Sequence, residues 1–187
     1  ERAASLTAGV AALADRVAAR LGAARLIIQL DEPLLPPLVA GSDPRAGDPT
    51  TWGSLARVVT AADRAGATVV LHCCAADPPL DALIRAVPGL GAVAVDTGRI
   101  GPAGRRALSR LVRAGVEVWA GCVPTLGPVP DLDLLRADAS TWPGPAAVTP
   151  ACGLAGATEP GARTLTRVTV ELAAALRARA GFRGVDR

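Results

Sequence analysis

The sequence predicts an α/β fold with a parallel sheet, specifically a partial (β/α)8 TIM-type barrel, and three observations carry that expectation. Five short apolar runs alternate with longer segments of helical periodicity. The first of those runs lacks the apolar–polar alternation of a half-exposed strand, as a parallel strand covered on both faces does. The residues with chemistry to offer, Asp31, His72 to Cys74, Asp96, Cys122 and Cys152, cluster at the C-terminal ends of the runs. In parallel α/β folds that edge is where ligands bind. About five strands are too few to close an eight-stranded barrel, so residues 1–187 are expected to form a single domain holding part of one.

Each element has its own signature. Leu6, Val10, Leu13, Val17 and Leu21 recur at steps of three and four, predicting an amphipathic helix over residues 5–22. Residues 25–30 (Arg-Leu-Ile-Ile-Gln-Leu) read as a buried strand ended by Asp31-Glu32-Pro33, and residues 34–50, rich in Pro, Gly and Asp, as a loop. A helix from about Trp52 to Ala65 stops at Gly66, which can take the left-handed conformation past a helix end. The plan then repeats. Strand 68–73 is followed by a short helix over 80–87, and strand 92–96 by a helix over 102–114 with Gly115 as its stop. Strand 116–120 runs into a loop at Gly121-Cys122-Val123-Pro124, and strand 146–149 precedes a helix to Ala180 that Pro160 opens in its first turn.

Composition excludes several functional classes. Half the residues are apolar and 20% charged, which fits neither a disordered tail nor a disulfide-dense mini-protein. The apolar runs are strand-sized, far short of the ~18 residues of a membrane span, so no membrane association is expected. No basic leader with a cleavage site opens the chain, which is therefore expected to be soluble and cytoplasmic. A net charge of +3 from scattered arginines, with 2% aromatic residues, lacks the clustered footprint of a nucleic-acid binder. Arg105, Arg106, Arg110 and Arg113 do cluster, and one solvated helix face accounts for them. There is no Met, which suggests a processed chain or a fragment.

Cys73, Cys74, Cys122 and Cys152 are an even number, but the expected compartment and the ample core favour metal binding or simple burial over disulfides. His72 and Cys74 are two residues apart, so in an extended segment they point one way and Cys73 the other. In a barrel strand this places His72 and Cys74 at the lumen mouth. Cys152 lies where it could close around the same point, and Asp96 is one strand over. Imidazole, thiolate and carboxylate in a four-coordinate set suit zinc. A buried histidine bonded to a carbonyl beside small apolar cysteines is the alternative. Cys122 has a plain packing explanation. Asp31 and Glu32 could hold a cationic group such as a substrate amine, or could simply cap a surface turn.

The segments Ile-Ile-Gln-Leu-Asp31-Glu32-Pro33, Leu-His72-Cys73-Cys74, Val-Asp96-Thr97-Gly98-Arg99 and Pro150-Ala151-Cys152-Gly153-Leu154 occur in the order seen in the catalytic domain of cobalamin-independent methionine synthase and its archaeal-type and actinobacterial relatives. The chain resembles that family over nearly its whole length. The resemblance implies a (β/α)8 barrel of which this chain is the C-terminal half to two-thirds. It also implies a zinc-dependent methyltransferase that moves a methyl group from 5-methyltetrahydrofolate to the thiol of homocysteine, giving methionine. By position, His72, Cys74 and Cys152 match the family's zinc ligands, Asp96 stands where the family usually has Glu, and Asp31 matches the residue that holds the homocysteine amino group. The family's general-acid His position reads Ala120, so no catalytic acid is assigned. The upstream Ile-Gly-Ser strand that touches the substrate carboxylate is absent from the sequence.

Two other readings stand beside this one. Corrinoid-dependent thiol methyltransferases share the superfamily and its His-x-Cys plus later Cys, and the loss of a His at Ala120 fits a donor other than folate. A non-catalytic divergent half-barrel is the third, for which an open sheet edge would favour oligomerisation.

Overall fold

The structure is a computed structural model and describes residues 2–22, 25–40, 51–129, 131–142 and 145–178. Five parallel strands run in the order β1 (Leu26–Asp31), β2 (Ala67–Cys73), β3 (Leu90–Asp96), β4 (Glu117–Val123) and β5 (Pro145–Pro150). Between them lie α2 (Leu35–Val39), α3 (Trp52–Arg64), α4 (Leu80–Ala86), α5 (Pro102–Arg113) and α6 (Leu132–Ala139). Helix α1 (Arg2–Leu21) precedes the sheet, α7 (Glu159–Arg177) follows it, and one turn of 3-10 helix, Thr97–Arg99, follows β3. Strand and helix alternate as the apolar runs predicted.

Period-2 geometry divides each strand between two environments. Val69, Leu71 and Cys73 of β2, Val93 and Val95 of β3 and Val118 of β4 join Leu55, Val59, Leu83, Leu108 and Leu111 of the helices in one core. Ala120, Cys122 and Val148 pack instead with Leu135 of α6 and Leu165 and Leu172 of α7. The opposite face carries Val70, Ala92 and Ala94, against which Trp119 lies. Small side chains on β3 leave room there for the indole.

That second face is concave. Arg25, just before β1, reaches Glu117 at the start of β4, with 3.7 Å between charged atoms. Two strands intervene, so β1 and β4 are roughly 14 Å apart measured along a sheet. A direct contact therefore runs across the hollow of a curled sheet. Glu117 also accepts from Trp119 Nε1 at 3.2 Å, which fixes the ring as the floor of the half-barrel. The left-handed glycines stand where the helix stops were expected: Gly66 after α3 has φ +80° and Gly115 after α5 has φ +86°.

The structure corrects several local expectations. β1 is not covered on both faces: Leu26, Ile28 and Leu30 pack against the core, whereas Ile27 is 39% exposed and Gln29 and Asp31 are open to solvent. It is an outer strand, paired among the described residues only with β2. The apolar stripe of α1 is likewise only partly used. Ala14 is buried, while Leu6, Leu13 and Leu21 are exposed. The segment 34–50 contains α2, whose prolines fall in the first turn where amide hydrogens lack helical partners anyway, and whose Leu35 and Val39 are buried. Residues 41–50 of that expected loop lie outside the described residues. Gly121-Cys122-Val123 is not a loop but the end of β4, since Gly121 and Val123 continue the ladder to Thr149 and Pro150 through a register shift. α6 was not anticipated; Asp131 caps it by accepting from the Asp133 amide at 2.8 Å. α7 ends at Arg177, and residues 179 and 180 of the expected helix are not described.

Candidate metal centre

The inward positions of β2 are Val70 and His72, and Cys74 follows on the same side as the strand ends. Cys73, between them, is buried in the helix-side core, as strand parity requires. His72 is 8% exposed, and its Nε2 has no hydrogen-bond partner among the described residues. A buried ring nitrogen left unpaired is destabilising unless something binds it. Cys152 comes from the turn after β5 and brings its sulfur to 3.5 Å from that of Cys74. One donor atom from each of His72, Cys74 and Cys152 lies within 4.8 Å of the other two. Two thiolates bound to one tetrahedral zinc at about 2.3 Å each are separated by about 3.8 Å. The donor spacing and the nitrogen–sulfur chemistry both fit that ion.

The Cys74 thiol is not activated by the protein alone. Burial pushes it up, and the neighbouring Cys152 sulfur adds to the effect. A cysteine that binds a metal does so as the thiolate, so a cation at this point would offset that rise. Cys122, on the helix side of β4, is pushed up to about 12, first by burial and then by the Asp138 charge. Its surroundings in the α6–α7 core are those of a packing residue.

Asp96 ends β3 one strand from His72. Its Oδ1 accepts the Gly98 amide at 3.0 Å, and it is not among the three groups whose donor atoms converge. Burial raises its pKa, while the Gly98 hydrogen bond, Arg99 and His72 oppose the rise. Asp31 pairs in register with His72 and lines, with His72, Cys74, Cys152 and Gln29, a cavity of about 420 Å³. Gln29 Nε2 donates to Asp31 Oδ1 at 2.8 Å. Glu32 parts from its neighbour: its amide donates to the His72 carbonyl at 2.8 Å, while its carboxyl lines a separate cavity between β1 and α3. Burial first, and Asp31 second, raise its pKa.

Ala120 is fully buried among the residues of α6 and α7, on the convex side of β4, and the inward positions of that strand are Glu117, Trp119 and Gly121. The arginine face of α5 is solvated as expected, with Arg110 exposed and Arg105 half-buried, and two of its members also have partners. Arg105 lies 3.8 Å over the Trp142 ring and donates to Thr141 Oγ1, and Arg110 makes a two-pronged pair with Asp81 at 2.6 and 2.7 Å. Arg106 and Arg113 are exposed.

Sequence reasoning missed the tethers around the centre. Arg99 Nη1 donates to the Cys74 carbonyl at 3.2 Å, and the buried Thr97 hydroxyl donates to the Gly121 carbonyl at 3.2 Å. The arginine and threonine were visible in the sequence beside Asp96, but nothing in their spacing points across the sheet. A larger cavity, about 830 Å³, opens on the other side of Cys74 and Cys152 and is bordered by Asp96, Arg99, Arg105 and Leu134.

Among the described residues no helix is long and apolar enough to cross a membrane. No curated protein matches the chain. Residues 1–175 match the family described as cobalamin-independent synthase, catalytic domain. The half-barrel, the convergence of one imidazole and two thiols at its mouth and a match over nearly the full length agree: the chain belongs to the cobalamin-independent methionine synthase catalytic-domain family.

Proposed function

We propose that this chain carries the centre for zinc-dependent methyl transfer from 5-methyltetrahydrofolate to the thiol of homocysteine. The observation that supports this most is the meeting of His72, Cys74 and Cys152 within 4.8 Å at the functional end of a parallel half-barrel. These three hold the zinc, and Asp96, whose other oxygen is engaged by Gly98, is the carboxylate beside them that completes the set. When bound, zinc would lower the pKa of a ligated thiol, so that the thiolate, the competent nucleophile, is present near neutral pH.

The chain's own residues do the rest. Asp31 offers a carboxylate to the substrate ammonium in the cavity it shares with the two cysteines, and Gln29 fixes one of its oxygens so that the other faces the ligand. An amine drawn out of bulk water needs such a partner. The larger cavity shares Cys74 and Cys152 with the first and adds Asp96, so a second and bulkier reactant can approach the same sulfurs from the other side. Ala120 gives no reason to prefer a corrinoid donor, because its side chain faces the helices whatever the donor is.

Metal analysis of the purified protein tests the reading. About one zinc per chain is expected in the wild type, with affinity sharply weakened in Cys152→Ser, since ligand loss and site geometry are coupled. No zinc in the wild type, or unchanged affinity in the variant, refutes it. Methyl transfer assayed with methyltetrahydrofolate against methylcobalamin then identifies the donor.

A further inference from the structure

The two sulfurs of the centre come from loops on opposite sides of β3 and β4, and neither loop reaches the other by sequence. What joins them is the single 3-10 turn Thr97–Arg99 at the end of β3. On one side it is tied twice to the loop after β2. The Arg99 side chain donates to the Cys74 carbonyl at 3.2 Å, and the Arg99 carbonyl accepts from the Asp77 amide at 3.4 Å. On the other side Thr97 Oγ1 donates to the carbonyl of Gly121, and Gly121 is packed directly under the turn that carries Cys152. The Ala151 amide in that turn donates to Val123 at 2.8 Å, so the turn rides on the end of β4. Asp96 Oδ1 closes the 3-10 turn itself by accepting from Gly98.

Resting on the zinc reading above, we propose that Arg99 is a positioning residue of the metal centre, holding the Cys74 main chain so that its sulfur faces Cys152 and His72. Arg99 is exposed, and the turn around it is built by backbone bonds and by Asp96, so its side chain is not needed for the fold. A guanidinium suits the task because its planar fork donates to a carbonyl with less loss of freedom than an ammonium. Its effect on the metal is indirect, through the main chain of a ligand. Outer contacts of this kind typically change metal affinity by about 10- to 100-fold when removed.

The test compares wild type, Arg99→Ala, Arg99→Lys and, as a surface control on α5, Arg106→Ala. Zinc affinity is measured by chelator competition, the d–d spectrum is recorded after cobalt substitution, and folding is checked by circular dichroism and thermal melting. Arg99→Ala is expected to bind zinc about tenfold more weakly with an altered cobalt spectrum and an unchanged melting temperature. Arg99→Lys, which keeps one donor, recovers part of the loss, and Arg106→Ala matches the wild type. Wild-type affinity and spectrum in Arg99→Ala overturn the proposal. So does a loss of zinc that Arg99→Lys leaves unrelieved and that follows a lowered melting temperature. A wild type that binds no zinc instead refutes the metal reading. Capture of the Cys74–Cys152 pair by phenylarsine oxide, which needs two neighbouring thiols, then decides the positioning: slower capture in Arg99→Ala upholds it and equal capture overturns it.

Discussion

Gly121→Ala is the sharpest probe of how the half-barrel builds its centre. A Cβ at position 121 would sit 2.6 Å from the Val95 carbonyl oxygen, 2.9 Å from the Ala151 Cα and 3.2 Å from the Pro150 carbonyl oxygen. All three are backbone atoms, so no side-chain rotation relieves the clash. Ordinary contact begins near 3.4 Å, so β3 and β4 would separate locally by about 0.8 Å and the turn at Ala151 would retreat by about 0.5 Å. Cys152 is the next residue along that turn. Metal–ligand distances tolerate only about 0.2 Å, so a shift of this size costs the centre a ligand or strains it. The variant is expected to lose about 1–3 kcal/mol of stability, as overpacked sites do, and about 10- to 100-fold in zinc affinity. Chelator competition and thermal melting measure the two effects. Gly115→Ala is the matched control: its φ of +86° strains an alanine but its surroundings are open, so stability falls by about 1 kcal/mol and zinc binding is untouched. Gly121→Ala with wild-type zinc affinity would show that the Cys152 turn does not depend on its contact with β4.

The thiols should react in a fixed order. Alkylation at pH 8 followed by mass mapping is expected to label the exposed Cys152 first and to leave Cys122, held near pKa 12, unmodified in the folded protein, and zinc should protect Cys152. Asp31→Asn should raise the KM for homocysteine while leaving zinc content at the wild-type level, and a substrate analogue lacking the amine should not feel the change. Arg110 holds the Asp81 carboxyl below its usual range, and a group with a depressed folded pKa stabilises above its unfolded value. The melting difference between wild type and Arg110→Ala should therefore be full at neutral pH and disappear as pH falls below about 3.9. A difference that grows on acidification contradicts the assignment.

The architecture was legible because it rests on local physics. Alternating apolar runs and amphipathic segments, with Gly66 and Gly115 at the helix ends, define β–α units whatever their neighbours do. The His72–Cys74 parity was legible for the same reason, since a strand fixes the faces of residues two apart. The approach of Cys152 is a different kind of fact. It depends on the curl of the sheet and on a glycine that lets two backbones touch, and neither is encoded in the spacing of 78 residues between the sulfurs. Its place after the last strand allowed the approach, and the family motif order pointed to it.

Where the local reading failed, a distant contact had overruled it. Gly121-Cys122-Val123 has the composition of a loop but extends β4 because β5 offers partners for its amides and carbonyls. That extension carries the parity onward and directs Ala120 to the helices, so the search for an acid on this strand moves to the inward positions, where Trp119 forms the floor and Gly121 the hinge point of the cysteine turn. Glu117, the carboxylate on the inner face of β4, is engaged by Arg25 and Trp119 at the start of the strand. The polar and sulfur groups that line the mouth come from the ends of β1, β2 and β3 and from the turn after β5, namely Asp31, His72, Cys74, Asp96 and Cys152. A centre assembled from several strand ends is sensitive to the register between strands, which is why a single added carbon at Gly121 is expected to register both in the fold and at the metal, and a hydrogen-bond change at Arg99 at the metal alone.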